Sequence, residues 1–218
     1  MRIAGVVIIA LVSGCIEYEP DSDPPPPPAQ PPGPTDNGQG DPPDWNNCHE
    51  GWRGVYSNLQ VTHPFVNPRP RDPLAPTDPM QLDFWDDPTA ERYDPSIDLG
   101  LGFWPSEVDE GLEGDPAYYA VYWHAWVRTR SDTTLRFQLG SSDDSWVYVN
   151  GEPIAEKPGI QDFVRDEYEV YLDAGQYPIE VWYAHRASEL AGFSFRVLSN
   201  PEDVSICYPD FDTSGAGP

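Results

Sequence analysis

The chain has 218 residues, with 37 acidic side chains against 12 basic ones and a formal charge of −25. That balance excludes nucleic acid and anionic membrane surfaces as partners, because Lys and Arg are what neutralise phosphate. Aromatics reach 13%, including 8 Trp and 12 Tyr, too many for a chain without a packed core, and the Gly and Pro between the Tyr- and Trp-rich runs point to an all-β fold.

Residues 1–14 form a signal peptide. Arg2 supplies the charged start, and Ile3 to Val12 is apolar but too short to span a bilayer. The end of this stretch, Leu11-Val12-Ser13-Gly14-Cys15, resembles a bacterial lipobox. The resemblance implies that Cys15 is acylated and becomes the mature N-terminus, and Ile16 in place of Asp fits outer-membrane sorting in a diderm bacterium. Two acyl chains anchor stably where one does not. Residues 15–44 are a disordered, Pro-rich linker, with Pro24 to Pro28 in a row and Pro31, Pro32, Pro34, Pro42 and Pro43 after them. Such a run favours polyproline II and reaches on the order of 90 Å at about 3.1 Å per residue. It is a stalk.

Residues 45–210 form the folded module, and 211–218 a flexible tail. Gly51 to Tyr56 is a first strand. His63 to Pro79 is a loop, Met80 to Trp85 a short strand broken by Asp86-Asp87-Pro88, and Asp94 to Glu113 a decorated loop with a strand at Leu99 to Trp104. Tyr118 to Arg130 is a long strand, apolar on both faces near its middle and therefore central; His124 on it is a core histidine. Leu135, Phe137 and Leu139 alternate with Arg136 and Gln138, a strand with one buried face. Gly140 to Asp144 is a polar break, Trp146 to Val149 an aromatic and β-branched strand, and Asn150-Gly151 a type I′ hairpin signal. A short return strand lies near Pro153 to Ala155. Tyr168, Val170 and Leu172 alternate. Tyr177 to Ala184, Phe193 to Val197 and Val204 to Tyr208 follow. About ten strands with short turns give an antiparallel two-sheet β-sandwich.

Three cysteines occur. With Cys15 used for lipid, Cys48 and Cys207 flank the module, and outside the cytoplasm two remaining cysteines most simply pair; the alternative is two free thiols. No nucleophile elbow, phosphate-binding Gly loop or metal-hydrolase motif is present. A glycosidase-like carboxylate pair is a chance expectation among so many acidic residues. The expected role is therefore not enzymatic.

Residues 135–151, with Ser142-Asp143-Asp144-Ser145-Trp146-Val147-Tyr148-Val149-Asn150-Gly151 at their centre, resemble the signature of PA-14 (protective-antigen-type) β-sandwich modules, nearest the fibro-slime subfamily. Gly51-Trp52-Arg53-Gly54-Val55-Tyr56 is similar to the first strand of such modules, and Tyr177 to Asn200 to the fibro-slime end pattern. Two departures stand out: Ser142 replaces the first of three acidic positions, and Glu156 to Ile160 replaces a G-G-x-H segment. The yeast-adhesin branch of that family binds Ca²⁺ through two adjacent aspartates, and the ion grips sugar hydroxyls. The resemblance carries this to Asp143 and Asp144, with Ser188 and Glu189 as further ligand candidates on a later loop. Calcium takes six to eight hard oxygen ligands, which neighbouring carboxylates help supply. Two other outcomes stay open: the aspartates shape the turn by accepting backbone N–H bonds, or Arg186, in the position of the family's R-H pair with His185, pairs with one of them. Trp104, Trp123, Trp126, Trp146 and Trp182 are either core or sugar-stacking, Trp146 being the ligand-facing candidate beside Asp143, Asp144 and Arg186. The resemblance implies a lipid-anchored surface module binding extracellular polysaccharide or glycoprotein glycan. A structural or adhesion protein of the cell surface or slime matrix is the alternative, and a non-catalytic subunit of a polysaccharide-processing complex a third.

Overall fold

The computed structural model describes residues 48–66, 79, 82–86, 88–103, 115–187 and 190–209. The signal peptide, Cys15, the Pro-rich linker, Trp104, Ser188, Glu189 and the tail lie outside the described residues.

The described chain is built of strands: β1 (Cys48–His49), β2 (Trp52–Leu59), β3 (Ala90–Asp94), β4 (Asp98–Leu101), β5 (Asp115–Thr129) and β6 (Thr133–Ser141). Then come β7 (Asp144–Val149), β8 (Glu152–Lys157), β9 (Val164–Leu172), β10 (Gly175–His185), β11 (Gly192–Val197) and β12 (Val204–Pro209). They form two antiparallel sheets, the expected sandwich. The larger runs β1-β12-β5-β10-β7-β8, with β2 on β5 and β3 on β2; the smaller runs β4-β11-β6-β9.

The strand predicted to be central is central. One edge of β5 pairs with β10 along its length; the other is shared by β2, over residues 115–124, and β12, over 126–129. Its two faces serve different cores. Tyr119, Val121, Trp123, Ala125 and Val127 point between the sheets, where the Trp123 ring stacks on Phe193 of the opposite sheet at 4.7 Å. Leu135, Phe137 and Leu139 of β6 meet them there, all fully buried. Each such side chain contributes about 1.5–3 kcal/mol by leaving water. On the outer face, Tyr118 and Ala120 join Trp146, Trp182 and Ala184 in a second cluster with Leu59, Val66, Leu82 and Phe84.

That second cluster corrects the strand expected at Met80 to Trp85 over its described part, 82–85; Met80 and Gln81 lie outside the described residues. Residues 82–86 contain no strand, with a turn at 84–86, and together with 61–66 they lie over the outer face of the larger sheet. Phe84 meets His63 edge-on at 5.0 Å and Trp85 meets Trp182 at 5.0 Å. The apolar run is a cover, not a strand. Conversely, β3 falls where no element is expected, ending on the first residue of the expected Asp94 to Glu113 loop; Ala90-Glu91-Arg92-Tyr93-Asp94 is charged and flanked by Pro88 and Pro95, as befits a strand bonded on one side only.

Asn150 and Gly151 have φ of 54° and 78°, the two positive values that a type I′ turn requires between β7 and β8. Cys48 and Cys207 form a disulfide with Cα atoms 5.6 Å apart, tying β1 to β12 at the outer edge.

His124 is half-buried beside Tyr122 and Tyr208. Loss of hydration, helped by the nearby Arg53 cation, lowers its pKa from 6.5 to about 4. Between those values the unfolded chain binds the proton and the folded chain does not, so stability falls as pH drops through this window. The ceiling is about 3 kcal/mol. Melts of the wild type and of His124→Gln at about pH 7 and pH 4.5 are expected to show a smaller acid loss in the variant; equal losses would exclude His124 as the source.

Candidate functional site

The Ser142-Asp143 turn does more than connect neighbouring strands. β6 belongs to the smaller sheet and β7 to the larger, so the chain crosses between the sheets here. Two further crossings lie at the same end: residues 158–163 lead from β8 to β9, and Arg186 and Ala187 begin the passage from β10 to β11. Asp143 and Asp144 join all three.

Asp143 sits at φ 67°, a left-handed conformation that Asp tolerates better than most residues. Its Oδ2 accepts hydrogen bonds from the backbone N–H of Arg186 and of Ala187, each at 2.9 Å. His185 Nδ1 stands 3.2 Å from the same oxygen, without the alignment of a hydrogen bond. The Asp143 carbonyl accepts from Ser141 Oγ at 3.1 Å and Gln161 Nε2 at 3.2 Å. Ser142 N–H donates to the Gly192 carbonyl at 2.9 Å.

Asp144 faces a different crossing. Its Oδ1 accepts from the Gly159 N–H at 2.5 Å. Arg186 forks onto the same carboxylate, Nε donating to Oδ2 and a terminal nitrogen to Oδ1 at 3.4 Å. The other terminal nitrogen donates to the Phe65 carbonyl at 3.1 Å, which ties in the segment after β2. Burial pushes the Asp144 carboxyl above its ordinary range, opposed by the Arg186 hydrogen bonds and charge and by the Gly159 N–H.

The structure thus brings Asp143, Asp144 and Arg186 together, with Asp143 2%, Asp144 0% and Arg186 0% exposed. Trp146 lies close by in sequence but on the outer face of β7, fully buried under Trp85 at 6.5 Å. It presents no ring face to a ligand, which corrects its assignment as a sugar-facing residue: the segment covering it comes from far earlier in the chain. Trp123 is likewise buried in the core.

The carboxylates as folded do not fit a calcium ion. Both oxygens of Asp144 and one of Asp143 are already committed to N–H donors. Among the described residues no group of three or more His, Cys, Asp or Glu side chains is arranged to hold a metal. The cation in contact with Asp144 is the Arg186 guanidinium, whose planar fork matches a carboxylate.

Gly159 and the Phe65 carbonyl are partners of the site that no motif names. Pro158-Gly159 is a turn signal, and Gly159 at φ 100° aims its N–H at Asp144; nothing local marks Phe65.

Neither the comparison with protein-family models nor that with curated proteins returns a match. Solved structures do. An anti-sigma factor domain-containing protein superposes with TM-score 0.51 at 23% identity, over 75% of this chain and 49% of its own, so this chain spans about half of it. A PA14 sugar-binding domain from an RTX adhesin gives TM-score 0.51 at 15% identity, over 75% of this chain and 99% of its own. The epithelial adhesin 9 A domain of Candida glabrata, in complex with Galβ1-4GlcNAc, gives TM-score 0.51 at 13% identity, over 79% and 94%. At these identities the likeness is one of fold: the chain is a PA14-like β-sandwich.

Proposed function

We propose that this chain is a non-catalytic adhesion module of a cell surface, anchored by lipid at Cys15, raised on its Pro-rich stalk, and holding extracellular glycan at the end where the three crossings meet. The observation that carries this reading is the match over 99% of a domain described as sugar-binding. The buried aspartate pair does not touch the glycan; it fixes the loops that do. Phe65 supports this division of labour. Its carbonyl is held by Arg186, while the residue is 39% exposed, an aromatic face of the kind that pyranose rings stack on.

The test is retention of the full chain on a glycan array and on immobilised extracellular polysaccharide, competed by free sugar. Phe65→Ala is expected to weaken retention about tenfold, the loss of roughly 1.4 kcal/mol, while leaving the melting midpoint within about 2 °C. Cys15→Ser is expected to release the protein from the membrane fraction, and a variant still in the membrane pellet would contradict the anchor. Running the array in EDTA and in calcium separates direct recognition from recognition through an ion at Asp143 and Asp144.

The burial of Asp143, Asp144, Arg186 and Trp146 favours a second reading: a structural or adhesion protein of the surface or slime matrix that binds protein partners. No retention on any glycan, with retention on matrix protein, would establish it over the first.

A further inference from the structure

We propose that Arg186 is the resident cation of the aspartate pair, so that this sandwich closes its three inter-sheet crossings without a metal ion. Two adjacent carboxylates taken out of water need a cation beside them, because an uncompensated buried charge is strongly destabilising. A calcium ion meets that need only with six to eight oxygens around it. Here the cation is part of the chain. Arg186 engages both oxygens of Asp144 and the Phe65 carbonyl, and its own backbone N–H is held by Asp143. One residue therefore answers both carboxylates, one with its side chain and one with its backbone.

Register places it there. Ala184 of β10 pairs with Asp144 of β7, so the residue two positions on emerges at the aspartates whenever the larger sheet forms. A calcium ion at this point would have to displace the guanidinium, leaving a buried arginine with no carboxylate. The inference stands on these contacts and not on the glycan reading, and it is read by a melt, so either can fail without the other.

The experiment uses the full chain. The wild-type midpoint is expected to be the same in excess EDTA and in about millimolar CaCl₂, the range of extracellular calcium modules; a midpoint several degrees higher in calcium would overturn the proposal. Arg186→Gln is expected to lower the midpoint by roughly 10 °C. Adding Asp144→Asn to it removes the stranded charge, and the double variant is expected to regain about half of that loss. A double variant melting at or below the single one would overturn the pairing. Should Arg186→Gln not fold, the soluble yields of the two variants give the same comparison, and the wild-type melt in calcium decides independently.

Discussion

Asp94→Ala is expected to remove about 3–5 kcal/mol of stability, a fall in melting midpoint on the order of 10 °C for a domain of this size. Asp94 ends β3 at 5% exposure, and its carboxylate organises three donors. Oδ2 accepts from the Tyr56 hydroxyl at 2.5 Å and from Trp123 Nε1 at 2.8 Å, and Oδ1 accepts from Arg92 Nε at 2.7 Å. Tyr56 and Trp123 are both fully buried, so truncating the acceptor strands two donors where water cannot replace it. Burial, and then the Asp94 charge, push the Tyr56 hydroxyl well above its ordinary pKa, which keeps it protonated and donating. Arg92 closes the group by lying over the Tyr56 ring at 4.6 Å. Gly54 makes room for all of this: a Cβ there would run into Asp94 Oδ2, Tyr56 and Trp123 Nε1. Chemical denaturation of Asp94→Ala and Asp94→Asn checks the argument. Asn keeps a carbonyl oxygen for the two buried donors and should lose less; equal and small losses in both would show that the network is dispensable.

Removing the Cys48–Cys207 disulfide is the second large effect. The two residues are 159 positions apart, and the link holds β1 and β12 together at the edge of the larger sheet. The chain-entropy model gives roughly 5 kcal/mol for so long a loop, and native disulfides in secreted domains typically supply 2–5 kcal/mol. The Cys48→Ser/Cys207→Ser double variant is therefore expected to melt on the order of 10 °C below the wild type, and calorimetry in reducing buffer should move the wild type to the same place. A change below about 2 °C would mean that β1 and β12 hold without it.

What could be read beforehand divides along physical lines. The strands from Tyr118 onward were legible because burial on one face imposes period-two alternation, as at Leu135, Phe137 and Leu139, and because burial on both faces removes it, as in β5. Asn150-Gly151 was legible because its turn demands a backbone that few residues adopt. Residues 82–86 were not: Leu82, Phe84 and Trp85 have the composition of a strand, and only tertiary packing shows that they cover one. The same cover hid the burial of Trp146, whose outward place on β7 looked open. Asp94 was not legible as a core acceptor, because a charged strand beside prolines resembles a loop. At the site, the adjacent aspartates and Arg186 were visible, but their allegiance was not. Whether the pair holds a metal or a guanidinium depends on which crossings converge there, and that is set by sheet order and register rather than by any local motif.

The most direct measurement is anomalous diffraction from crystals of the chain grown in about 5 mM CaCl₂, above the affinity range of extracellular calcium modules. No anomalous peak is expected at the aspartate pair, with the Arg186 guanidinium resting on Asp144 between the three crossings. An ion coordinated by Asp143 and Asp144, with Arg186 turned away, would contradict that expectation.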